Sequence, residues 1–441
     1  MKHSKRILAL LLILAMLLPM VATANACPAC PGWVGDHWPL PLTLYFRQPS
    51  GTVEYDVMEG ERVRFPNVME EFIGYDFIGW YPSPVEIEFE YPSWHLYEAD
   101  DYHEVTCKDQ DFYALFGKIS GDGYYYFTTE IDFDAPFSIG HTLSLENGIS
   151  ANFLIKKEDL AQYDDVIVTA TMPDSSEKKT NQVKSVGCTR SDCGEYQRYT
   201  VKAVDATKMN DEITFKMKLV QDGKVAYVEE SYSIADYAYS QLNKENASDS
   251  LKALCANLLQ YGGWAQRYKG YRTDACADSL LTEAQRGYLT DLNSVAFETI
   301  NETMNDLQEP SVLWVGKTLD LQSNVTLKTY IDSTHYTGSP EELQLKVRYT
   351  DSHGNEQIAY GDMCTPYDGE KQQFTLSFAG LPATDLRTSL ELCVVDPAGT
   401  QVSATMRYSI GSYGNGKTNT LLSLCQALMA YSDSAVAFKN S

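Results

Sequence analysis

Basic residues are in short supply: the 441-residue chain has 35 Lys and Arg against 60 Asp and Glu, a formal net charge of -25. Nucleic acid and anionic lipid draw their affinity from Lys and Arg neutralising phosphate, so no nucleic-acid partner is expected. Histidine is scarcer still, and those beyond His37 (His95, His103, His141, His335 and His353) lack metal-ligand spacing. Neither H-E-x-x-H nor G-x-S-x-G occurs, so no catalytic, cofactor-binding or metal residue can be named. After the N-terminal segment no further apolar stretch points to a membrane anchor, and no integral span is expected once that segment is cleaved.

What is present begins with that segment. Lys2, Lys5 and Arg6 precede an unbroken apolar run from Ile7 to Leu18, then Pro19 and the small residues Ala22 to Ala26. This is the pattern of a secretory signal peptide over residues 1–26, with an A-x-A site ending at Ala24 or Ala26. Cys27 follows directly, but Ala24 stands where a lipidation motif wants Leu, so release, a lipid on Cys27 and non-covalent wall association all stay open. No L-P-x-T-G-like sorting signal with an apolar tail is seen. Residues 27–40 read as a linker.

Export permits disulfides, yet the ten cysteines are unevenly spaced and do not form a dense framework. Cys188 and Cys193 flank T-R-S-D in what reads as a polar loop between strands, either bridged across that loop or left as two free thiols. Cys27 and Cys30 make C-P-A-C in a Pro- and Gly-rich tail, not at the start of a helix, so a thioredoxin-like role is rejected.

The chain repeats itself. Thr142 to Ile155 (T-L-S-L-E-N-G-I-S-A-N-F-L-I) lies over Thr318 to Ile331 (T-L-D-L-Q-S-N-V-T-L-K-T-Y-I), and both predict paired strands. The run from Tyr199 matches the run from Phe374, and that from Phe215 matches that from Leu390, each with period-two alternation. Both copies reach a hinge, Y-S-I-A-D-Y from Tyr232 and Y-S-I-G-S-Y from Tyr408, where Ser233 and Asp236 predict a helix cap. Beyond it Leu251, Leu254, Cys255, Leu258 and Leu259 correspond to Leu421, Leu424, Cys425, Leu428 and Met429, an apolar helical stripe in each copy. Cys255 and Cys425 fall within it as buried hydrophobes, and Tyr261 and Tyr431 correspond as packing residues. Between the copies Leu289, Leu292, Val295, Ala296 and Ile300 predict an amphipathic connecting helix from Leu281 to Leu307.

Gly411 to Thr418, G-S-Y-G-N-G-K-T, matches the phosphate-binding loop literally. The corresponding hinge, Ala235 to Ser240, carries no such pattern, and the parallel strands and acidic magnesium ligand of a nucleotide fold have no room to follow. A glycine-rich turn before a helix is the reading kept. Asp100 and Asp101 near His103 are expected by chance in so acidic a chain. Tyr124 to Phe127 reads as an outer strand, with Tyr125 a candidate stacking residue.

From Val53 to Phe116 the order of features resembles the Listeria-Bacteroides (InlB B-repeat type) repeat of bacterial surface proteins. V-E-Y-D-V from Val53 and G-E-R-V-R-F-P from Gly60 are similar to its opening strands, Gly74 to Tyr81 (G-Y-D-F-I-G-W-Y) to its diagnostic stretch, and D-F-Y-A-L-F from Asp111 to its closing segment. The Asn-Gly-Gly turn is lacking and residues are inserted around Tyr91 to Tyr102. The resemblance implies a small β-grasp-like fold. Trp80 and Tyr81 read as a candidate sugar-stacking platform or, preferably, as the core that a small module must bury. The duplicated unit resembles an uncharacterised module of secreted proteins from Gram-positive gut bacteria, which implies export.

The expected architecture is α+β, mostly β: a β-grasp-like module over 41–120, two homologous antiparallel-β modules over 121–275 and 311–441, each ending in packed helices, and a helical connector over 276–310. The expected role is that of a non-catalytic exported protein of the bacterial envelope or its surroundings, holding a glycan, peptide or protein. The alternatives are a secreted glycan-active hydrolase with carboxylates dispersed over loops and a structural spacer.

Overall fold

The computed structural model describes residues 41–85, 96–105, 109–121, 123–131, 135–145, 148–173, 183–201, 204–321, 325–362, 364–368 and 371–441. The signal segment, the linker with Cys27 and Cys30, and Tyr91 lie outside the described residues. The fold is mostly β, with several antiparallel sheets and a C-terminal helix. It divides into two compact units, one from Met1–Asp132 with Gln221–Ala226, the other from Phe133–Val220 with Tyr227–Ser441.

In the first unit β1 (Pro41–Gln48) and β2 (Gly51–Met58) form a hairpin, and β6 (Gln110–Ile119) runs parallel to β1. On its other side β6 pairs antiparallel with β4 (Asp76–Tyr81), and its end pairs with β7 (Tyr125–Thr128). A short ladder of β3 (Arg62–Arg64) and β5 (Tyr102–Glu104) stands apart. Alternation in β1 buries Leu42, Leu44 and Phe46. Around Phe46 the rings of Tyr55, Phe65, Trp80 and Phe112 gather with centroids 5.0 to 5.5 Å away. Each such pair adds roughly 0.5–1.5 kcal/mol beyond area burial, which lets a small module hold a core.

The second unit contains two halves with one strand order. In the first half one sheet runs β12 (Cys188–Cys193), β13 (Tyr196–Val201), β9 (Ser150–Lys156), β8 (Gly140–Ser144). Its other sheet runs β11 (Val183–Val186), β10 (Asp165–Pro173), β14 (Ile213–Gln221), β15 (Lys224–Tyr232). In the second half one sheet runs β21 (Thr365–Asp368), β22 (Gln373–Phe378), β18 (Val325–Asp332), β17 (Leu313–Leu321). Its other runs β20 (Glu356–Tyr360), β19 (Gln344–Thr350), β23 (Leu390–Val395), β24 (Met406–Tyr408), with β16 (Asn301–Thr303) added at the edge. Counted from the first strand of each half, the two sheet orders coincide.

The described residues also form five helices: α1 (Lys157–Leu160), α2 (Ile234–Asn243), α3 (Asp249–Lys269), α4 (Glu283–Arg286) and α5 (Asn419–Lys439). Ser233 accepts from the backbone N–H of Asp236, whose carboxylate accepts in return from the Ser233 N–H, the predicted cap of α2. Helices α3 and α5 pack antiparallel: Asn257 donates to Ser434 at 2.8 Å, Ser250 meets Ser441 at 2.9 Å, and Tyr261 stacks on Tyr431 at 5.8 Å with planes 3° apart. The corresponding tyrosines of the two halves thus meet each other, as at a twofold axis. Buried Cys255 and Cys425 are held thiol, their pKa values pushed by burial up to about 12 and about 11.

Among the described residues α5 alone is long and apolar enough to cross a membrane. Leu424, Leu428 and Met429 of this helix are buried within the unit, whereas Phe438 near its end is exposed.

Two sequence expectations are corrected. The stretch from Leu281 to Leu307 is α-helical only over Glu283–Arg286. Asp291 turns the chain by accepting from the N–H of Asn293, and the following backbone finds partners in the second half: Glu298 N–H donates to Gly411 O, Ser409 N–H to Ile300 O, and β16 pairs with β24. Tertiary pairing outweighs the local helical spacing. Cys188 and Cys193, in turn, are not in a loop but end the strand β12, and both are free thiols. Five residues of extended chain separate Cα atoms by roughly 16 Å, whereas a bridge needs about 4.4–6.8 Å.

Candidate functional site

A cleft of about 240 Å³ opens in the second unit, lined by Tyr268 and Lys269 at the end of α3, Thr318 to Leu321 of β17, Lys328 and Tyr330 of β18, Tyr413, and Leu421 of α5. The strand alternation explains its chemistry. Leu319 and Leu321 of β17, with Leu327, Thr329 and Ile331 of β18, are buried, and the intervening Thr318, Asp320, Lys328 and Tyr330 are less so. Register sets Thr318 opposite Lys328 and Asp320 opposite Thr326. From there Lys328 Nζ reaches diagonally to Asp320 Oδ2 at 3.0 Å.

Tyrosine supplies three walls. Tyr330 lies 4.6 Å from the exposed ring of Tyr367. Tyr413 shares a hydrogen bond with the Thr318 hydroxyl at 3.2 Å, and its ring carries the Lys417 ammonium 4.3 Å above its centre. Tyr268 is exposed at the last turn of α3, before Gly270 closes the helix in the left-handed conformation. Lys269 lies in that turn, at the negative end of the helix dipole.

The halves differ at this place. In the first, the hinge continues into α2, ten residues long and packed against β8. In the second, it makes only the 3₁₀ turn Ile410–Ser412, and a glycine-rich turn leads to α5. The phosphate-loop match falls on this turn and makes no cradle: a Cβ on Gly411 would strike the Glu298 carboxylate and one on Gly414 the Phe297 ring, so side chains already fill the concavity. Asn415 is tied to Glu298 O, and Lys417 lies over the Tyr413 ring.

A second pair of corresponding sites lies just beyond. His141 stacks on Tyr232 at 3.9 Å, and Lys317 stands 5.0 Å over the Tyr408 ring. Burial holds both nitrogens below their usual pKa values, and Tyr232 is pushed up to about 12. His141 Nε2 comes within 3.4 Å of Glu230 without hydrogen-bond geometry.

The structure distributes the sequence candidates elsewhere. Trp80 is fully buried and donates its indole N–H to Pro66 O at 2.7 Å, so it is core and no stacking platform. Tyr81, half-buried, ends β4 opposite Tyr113. Tyr125 is partly exposed, but its ring lies over Gly117 of β6 and packs edge-on against Phe127 at 5.4 Å. Asp100 pairs with Arg64 at 3.1 Å, and among the described residues no group of His, Cys, Asp or Glu has metal-site geometry. The cleft residues were overlooked in the sequence, although one signal marked them: the two hinges diverge after their shared tyrosines, and glycines replace α2 only in the second.

No protein-family model and no curated protein sequence matches the chain.

Proposed function

We propose that this chain is a non-catalytic exported protein of a bacterial envelope or its surroundings that holds a glycan in the cleft of its second unit. The observation that carries the reading is the cleft itself: Tyr268, Tyr330 and Tyr413 surround hydroxyl, amine and carboxylate groups in one concavity of about 240 Å³. Aromatic faces for C–H stacking with a few fixed polar groups are what a sugar requires. Asp320 is the one carboxylate among the lining residues and is tied to Lys328, whereas glycoside hydrolysis uses two facing carboxyls.

We read the first unit as a Listeria-Bacteroides-type repeat with a β-grasp-like sheet. The order β2-β1-β6-β4 with parallel central strands supports this. The halves of the second unit are read as copies of one duplicated module, on their shared strand order and matched tyrosines. The signal segment supports export.

The test is binding of the purified chain to an array of bacterial and host glycans, with Tyr268→Ala, Tyr330→Ala and Tyr125→Ala variants. Saturable binding lost in the first two and kept in the third, with melting curves unchanged, supports the cleft. A blank array sinks the glycan reading, and loss only in Tyr125→Ala moves the site to the first unit.

A further inference from the structure

We infer that the cleft selects a sugar bearing a carboxylate, the uronate class of acidic polysaccharide. This rests on the glycan reading above and narrows it. The argument is one of charge contrast. The whole chain carries a formal charge of -25. The cleft, however, is lined by Lys269 and Lys328 against the single carboxylate of Asp320, with Lys417 next to its Tyr413 ring. Asp320 engages Lys328 at 3.0 Å. Lys269 and Lys417 form no ion pair with the described residues, and each lies near a cleft tyrosine: Lys269 at 5.9 Å from the Tyr268 ring centre, Lys417 at 4.3 Å from that of Tyr413.

A cleft meant only for neutral sugars has no use for an uncompensated ammonium group in its wall and a second beside its Tyr413, and in so acidic a molecule they make this concavity a local positive site. The anion it suits is a sugar acid more than an acidic peptide. Asp320 would repel a run of peptide carboxylates, but beside the Thr318 and Tyr413 hydroxyls it accepts from the hydroxyl groups of a pyranose. The tyrosine faces pack on the ring's C–H surface while Lys269 and Lys417 meet the carboxylate.

The experiment is calorimetric titration of the full chain with hexagalacturonate, its fully methyl-esterified form, neutral cellohexaose and hexaglutamate, at low and high salt. Hexagalacturonate is expected to bind at least about tenfold tighter than its ester, with affinity falling as salt rises. The double variant Lys269→Gln, Lys417→Gln is expected to remove that preference without changing the melting temperature. Equal affinity for acid and ester, or binding of cellohexaose alone, overturns the uronate assignment and leaves the glycan reading standing. Hexaglutamate binding as tightly as hexagalacturonate overturns the sugar assignment in favour of an acidic peptide. Failure of all four ligands together with a blank array overturns both readings.

Discussion

The two halves of the second unit share a strand order yet end differently, and the difference locates the candidate site. Behind β8 the first half sets a capped helix of ten residues. At the corresponding place the second half has a single 3₁₀ turn and three glycines, Gly411, Gly414 and Gly416, and the cleft opens beside them. A pair of sheets of fixed strand order therefore tolerates change at the joint between its last strand and its helix, because that joint carries no ladder hydrogen bonds on which the sheets depend.

The comparison can be broken most severely at the axis between the halves. Tyr261→Ala and Tyr431→Ala each remove a fully packed ring from the α3–α5 contact, and each is expected to cost about 3–5 kcal/mol in urea unfolding. Similar losses are expected because each ring packs on the other; a loss confined to one variant would show that the halves do not share the contact evenly.

Next comes Arg387, found at the helical turn of the second half. It donates to both oxygens of Asp433 at 2.6 and 2.8 Å and to Glu298 at 2.7 Å, so it fastens the connecting stretch to α5. Arg387→Met should cost about 2–3 kcal/mol, since the partly buried Glu298 loses its charged partner. Accelerated hydrogen exchange over residues 295–304 would localise the loss, and unchanged exchange there would refute the fastening role.

Gly411→Ala installs the residue that the first half carries as Ala235. It nonetheless drives a methyl group into the Glu298 carboxylate, so about 1–3 kcal/mol of destabilisation is expected in thermal melts. A neutral result would mean that Glu298 swings away freely and that the turn is not packed as described. Ser233→Ala sharpens the other side: losing the cap of α2 should cost about 1 kcal/mol. That variant should leave glycan binding untouched, since α2 is remote in role from the cleft of the second half.

The smallest effect is one of pH. Burial lowers the pKa of His141 below 6.5, so the unfolded chain takes up its proton first, and stability should decline as pH falls through about 6.5 until the folded imidazole also protonates. Lys317, at the matching position, is lowered from 10.5 by the same cause, and its contribution changes only as pH rises toward that value. A His141→Gln chain should thus lose slope between pH 5 and 7 in urea midpoints, whereas Lys317→Met should not alter it. An unaltered slope in His141→Gln would place the titration elsewhere.

Period-two alternation is a local property, and from it the paired strands around Thr142–Ile155 and Thr318–Ile331 were legible, as were the cap at Ser233 and the stripes of α3 and α5. The failures have one physical source. At Leu281–Leu307 helical spacing was present, but strand β24 and the turn at Gly411 offered the backbone better partners. At Cys188–Cys193 a polar run looked like a loop because β12 is an edge strand, and edge strands need no apolar face.

By itself, then, the sequence determined the mostly-β character, the repeated strands and the acidic net charge, since these follow from residue type and spacing. Only the tertiary structure decided that Tyr261 meets Tyr431, that Trp80 is core, and that Tyr268, Lys328 and Tyr413 share one cleft. Those residues lie far apart along the chain, and the packing of α3 on α5, beside β17 and β18, is what brings them together.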